Sequence, residues 1–134
     1  MHPQPASPAT DPRSPAAVLD EQALGRLREL DPDGSHGVVV RVLGAFETSL
    51  ARLLGQLAAA RDGGDAGAIV GVAHTLKSSS ASVGATALSS ACVEVERRWR
   101  GAGVGNPAAL AQDAQRLISE GEAALAAVRT MLRP

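Results

Sequence analysis

Apolar residues recur along this chain at intervals of three and four, in blocks separated by Gly, Pro and Asp. From Val18 to Leu30, the residues Leu19, Ala23, Leu24, Leu27 and Leu30 keep helical spacing until Asp31-Pro32-Asp33-Gly34 stops the run. The cleanest stripe follows. Val39, Val42, Leu43, Phe46, Leu50, Leu53, Leu54 and Leu57 share a narrow arc at about 100° per residue, predicting a long amphipathic helix that ends before Asp62-Gly63-Gly64. A third block opens at Asp65, a carboxylate suited to an N-cap, and reaches Ser82 with Ala66, Ile69, Ala73, Leu76 and Ser80 on one face. After Gly84, the set Leu88, Ala91, Cys92, Val95 and Trp99 predicts a helix that "GAGVGNP" breaks. Leu110, Ala114, Leu117, Gly121, Leu125, Val128 and Leu132 predict the last one. No alternating strand pattern competes with any of these.

Long amphipathic helices joined by short turns bury their stripes most simply against one another. The expected fold is therefore all-α: an antiparallel up-down-up-down four-helix bundle, with an additional short N-terminal helix packed across one end. Residues 1–16, "MHPQPASPATDPRSPA", hold five prolines and no periodic apolar face, which predicts a disordered Pro-rich tail ahead of a single domain over 17–134.

Composition sharpens this picture. In a chain of 134 residues, 45% apolar, the only aromatic residues are Phe46 and Trp99, so the core is built from small and aliphatic side chains that suit close helix packing rather than a sandwich or barrel. The net charge of −1 supplies no field to draw the chain onto nucleic acid or an anionic membrane. "RRWR" at 97–100 reads as a solvated helix end with Trp99 turned inward, not as a nucleic-acid contact. No apolar run approaches the ~18 residues of a membrane span, and no signal-peptide block opens the chain, so a cytoplasmic monomer is expected. Cys92, the single cysteine, lies on an apolar stripe and reads as a packing residue.

The chemistry concentrates in "AHTLKSSSASVGA", residues 73–85. With Ile69 at zero on a helical wheel, Ala73, Leu76 and Ser80 fall within about 40°, Lys77 at about 80° and His74 at about 140°. His74 therefore faces away from the core, flanked by Val70 one turn before, Ser78 one turn after and Ala81 two turns after, with Lys77 alongside. A metal site is disfavoured, because the positions three and four residues from His74 hold Val70, Gly71, Lys77 and Ser78. A serine-hydrolase site is disfavoured as well: the serines lie on a helix without a nucleophile elbow, and the other histidines, His2 and His36, lie in the tail and a turn.

An exposed imidazole beside an ammonium can instead carry a phosphoryl group on a ring nitrogen. The ammonium disfavours imidazolium before transfer and attracts the phosphoryl oxygens after it. No Gly-rich phosphate loop, Walker lysine or acidic cluster for Mg²⁺ is present, so the expected role is a phosphocarrier rather than an enzyme, with no cofactor.

"AHTLKSSSASVGATALSSACVEVE", residues 73–96, resembles the signature of the histidine-containing phosphotransfer (HPt) domains of two-component multistep phosphorelays. The resemblance makes His74 the phosphoacceptor, Lys77 its electrostatic support, Leu76 and Val83 core anchors, Gly84 the turn and Glu96 the late acid of the following helix. It implies partners among response-regulator receiver domains or a hybrid sensor kinase, with Val70, Ser78 and Ala81 as docking surface. Ser78 stands where most members carry glycine, and its hydroxyl can donate to a phosphoryl oxygen. Two other readings share these residues: a helical adaptor that binds a receiver without phosphorylation, and the phosphoacceptor domain of a chemotaxis-type kinase.

Overall fold

A computed structural model describes residues 18–101 and 105–133; the Pro-rich segment over residues 1–16 lies outside them. The described residues form α1 (Glu21–Glu29), α2 (Val38–Gly63), α3 (Ala66–Ser82), α4 (Thr86–Trp99) and α5 (Pro107–Leu132), with no strand among them. Helices α2 to α5 run up and down around one core. Each packs against its neighbours in the ring, most extensively α3 on α4 and α2 on α5.

Local chemistry explains the boundaries. Asp20 caps α1 through Gln22, Asp65 caps α3 through the backbone N–H of Ala68 at 3.0 Å, and Asn106 caps α5 through Ala108 at 2.9 Å, with Pro107 following at the first helical position. Helix α2 has no side-chain cap at Gly37. The buried carboxylate of Asp31 does that work from the preceding turn, accepting from the backbone N–H groups of His36 at 3.0 Å and Val38 at 3.2 Å. This inward turn corrects the reading of Leu30: α1 is shorter than the 18–30 spacing suggests, ending at Glu29, and Leu30 stands 69% exposed instead of joining the core. Asp31 claims the buried position next to it.

Helix α1 crosses one end of the bundle at the α3–α4 turn, where the Asp20 N–H donates to the Gly84 carbonyl at 2.7 Å. Gly84 has φ +83°, and a Cβ there would stand 2.7 Å from the Asp20 nitrogen, so both conformation and space demand glycine.

The core is aliphatic. Leu43, Leu50 and Leu57 of α2 meet Ile69, Ala73 and Leu76 of α3, Leu88, Ala91 and Val95 of α4, and Ala114, Leu117 and Val128 of α5. Gly121 lets α5 approach α2 closely, since a Cβ there would lie 2.5 Å from a Leu54 methyl. Cys92 is buried and inert, its thiol pushed up to about 12 by desolvation. Ser80 is fully buried by its helical phase, and its hydroxyl has no hydrogen-bond partner among the described residues.

Candidate functional site

The narrow, light core face of α3 leaves its other faces free for polar residues. His74 projects outward at mid-helix with its side chain 60% exposed, while Ala73 and Leu76 on either side are sealed in the core. Helical phase accounts for this orientation. Lys77, one turn on, is half-buried in the seam between α3 and α4.

What the ring faces across that seam is Glu96. Its carboxylate, only 8% exposed, sits between the two helices and gathers three donors. Lys77 Nζ donates to Oε1 at 2.7 Å, His74 Nδ1 lies 2.7 Å from Oε2, and the Arg100 guanidinium donates to the same Oε2. Those bonds, the lysine's foremost, hold the Glu96 carboxyl down to about 2 despite a desolvation that opposes them. A carboxylate ionised at all ordinary pH values can only accept, so the proton in the 2.7 Å contact belongs to Nδ1. The neutral ring then carries its lone pair on Nε2. Glu96 thus selects the tautomer, as a buried carboxylate does for a catalytic imidazole.

The ammonium of Lys77 is therefore not a bare charge beside the ring: its near partner is a carboxylate, which offsets much of its field at rest. A second bond fixes the lysine's backbone, since the Ser89 hydroxyl of α4 donates to the Lys77 carbonyl at 2.7 Å. Of the flanking positions, Val70 is half-buried, and Ser78 and Ala81 are exposed. On the α4 side of His74 an open cleft of about 400 Å³ runs between Gly67, Val70 and Gly71 of α3 and Trp99, Arg100 and Gly101 at the end of α4.

Arg100 is the residue that the sequence pattern concealed. "RRWR" as a solvated helix end holds for Arg97, which is exposed, and Trp99 does turn inward. Arg100 belongs to the site: its guanidinium lies on Glu96 and 3.4 Å from His74 Nδ1. A signal for it existed in the four-residue spacing from Glu96 to Arg100, which places the two side chains on one helical face.

Among the described residues, no group of three or more His, Cys, Asp or Glu side chains could hold a metal ion, and no helix is long and apolar enough to cross a membrane.

A sequence model of the Hpt domain matches residues 41–132. The fold is similar to the crystal structure of histidine-containing phosphotransfer protein B (HptB) from Pseudomonas aeruginosa PAO1, with a TM-score of 0.63 and 28% sequence identity over 88% of this chain and 93% of that one. No curated protein matches the chain.

Proposed function

The chain belongs to the Hpt domain family, which serves histidine phosphotransfer in two-component signalling, and from that premise we propose that His74 carries the phosphoryl group, on Nε2, between aspartyl phosphates of receiver domains. The observation that carries this reading is the 2.7 Å contact from Nδ1 to an ionised, buried Glu96, which leaves Nε2 as the free nucleophile on an exposed ring.

In the forward step Nε2 attacks the phosphorus of an aspartyl phosphate. The N–P bond forms as the acyl O–P bond breaks, and the carboxylate departs on the receiver. The ring keeps its Nδ1 proton and gains positive charge, which the Glu96 carboxylate faces directly. The reverse reaction passes the group to a second aspartate by the same atoms. Lys77 and Arg100 flank the ring as cations able to swing from Glu96 toward the phosphoryl oxygens, so the charge that Glu96 holds at rest becomes available when phosphate arrives. In-line transfer and Mg²⁺ are the receiver's contribution.

Val70, Ser78 and Ala81 form the docking surface around the ring, with the Ser78 hydroxyl in place of the usual glycine as a further donor. This role makes the chain a phosphocarrier in the cytoplasm rather than an enzyme.

The test is to mix the purified chain with a receiver domain phosphorylated by acetyl phosphate and to analyse the label. Acid-labile, base-stable phosphate that disappears in His74→Gln is expected. Binding of the receiver with no label transferred from any receiver of the host would leave the adaptor reading in its place.

A further inference from the structure

On the α5 side of the last turn of α4, which also carries Glu96, another buried carboxylate gathers donors. Asp113 of α5 is 8% exposed; it accepts from the Trp99 indole N–H at 2.6 Å and from Arg98 at 2.8 and 2.6 Å through its two oxygens. A carboxylate taken out of water in this way is stable only because it is bonded on both oxygens. All three bonds go to residues in the last turn of α4.

That turn is where the His74 site is least constrained by its own backbone. Trp99 ends the helix, Arg100 has already left it at ψ 115°, and Gly101 turns away at φ +72°. Last turns fray unless something outside the helix holds them. Here the Trp99 ring is held at its indole nitrogen by Asp113 and covered on its far edge by Gly105, where a Cβ would come within 2.4 Å of the ring. Trp99 and Arg100 are adjacent in sequence and line the same cleft as His74. Fixing the indole thus fixes the point from which the Arg100 side chain starts toward Glu96 and the imidazole.

We infer that Asp113 is a positioning residue for the His74 site: by clamping Arg98 and Trp99 it holds the end of α4 so that the Arg100 guanidinium stays beside the ring. The inference rests on the reading of His74 as phosphoryl carrier for its kinetic consequence, but its structural part does not. A clamp serving stability alone has a counterpart elsewhere in the molecule. Glu47 of α2 accepts from both Arg129 and Arg133 at the end of α5, remote in sequence from His74.

The experiment compares the full chain carrying Asp113→Asn, Arg100→Ala, both together, or Glu47→Gln. The Asp113→Asn change keeps an acceptor for the indole while losing the charge that Arg98 needs; Trp99→Phe, which removes the indole N–H and keeps an aromatic ring, serves as the second probe should Asp113→Asn not fold. Two quantities are read: the ¹⁵N resonances of the His74 ring in the unphosphorylated protein, and single-turnover transfer from an acetyl-phosphate-charged receiver domain. Asp113→Asn is expected to move the ring resonances in the same direction as Arg100→Ala. It should also slow transfer at saturating receiver by roughly tenfold, with the half-saturating receiver concentration unchanged. The double variant should be no slower than the slower single one, the non-additivity that marks residues acting through one another. Glu47→Gln should leave both readouts in place. Unmoved ring resonances in a folded Asp113→Asn protein, or multiplicative losses in the double variant, would overturn the proposal. Failure of wild type to accept phosphate at all sinks the carrier reading instead, and the ring resonances still decide the role of Asp113.

Discussion

Helices α2 and α5, 26 residues each, and helices α3 and α4, of 17 and 14, form two pairs built on opposite principles. The long pair meets through leucine, alanine and a glycine that brings the backbones close. Its polar bonds, such as Arg61 to Gln115 and Glu47 to the two arginines, lie on the outside. The short pair is equally tightly joined, yet it buries a carboxylate in its seam and threads a lysine and a histidine across it. A buried ion cluster is weak support for stability, because desolvation offsets most of the Coulomb gain. The contrast teaches that the long pair supplies rigidity and the short pair spends part of it on placing charge next to an imidazole.

Changes that respect this division should separate function from stability. His74→Gln has the largest expected effect: complete loss of acid-labile label in a protein that still folds, since the ring is mostly exposed and Lys77 and Arg100 still bond Glu96. Chemical denaturation together with the transfer assay checks both halves. Leu50→Ala in the long pair, fully buried, should do the reverse. It is expected to cost about 3 kcal/mol in a urea titration while the protein that remains folded still accepts phosphate on His74.

Glu96→Gln tests the seam itself. The folded carboxyl titrates at about 2, below its ordinary 4.5, so its contribution to stability is complete above about 4.5 and is lost as pH falls from 4.5 toward 2. The variant should therefore show a flatter decline in melting temperature across that acid window, and equal slopes would contradict the ion cluster. Ser80→Ala is the smallest change: it removes an unbonded buried hydroxyl and improves helix propensity, so a gain of about 1 kcal/mol is expected by thermal melting. A loss there would mean that the hydroxyl has a partner after all.

Much of the fold was legible because helical phase is a local property. The stripes of α2 to α5, the Asp65 cap and the turn at Gly84 all follow from spacing and residue type. The end of α1 was not legible, because Leu30 lost its place to Asp31 for a reason that lies seven residues on, in the N–H of Val38. Arg100 was hidden in the same way: four adjacent residues read as a single solvated end, although they divide among three surroundings. Arg97 faces water, Arg98 and Trp99 reach α5, and Arg100 returns to the site.

By itself the sequence determined that His74 stands on the outer face of a helix with small neighbours, because a 3.6-residue repeat leaves no other place for it once Ile69, Ala73 and Leu76 are buried. Which nitrogen of that ring is free was decided only in three dimensions. Glu96 lies 22 residues away, and its meeting with Nδ1 depends on how α4 is rotated and seated against α3, a matter of side-chain packing that no local pattern encodes.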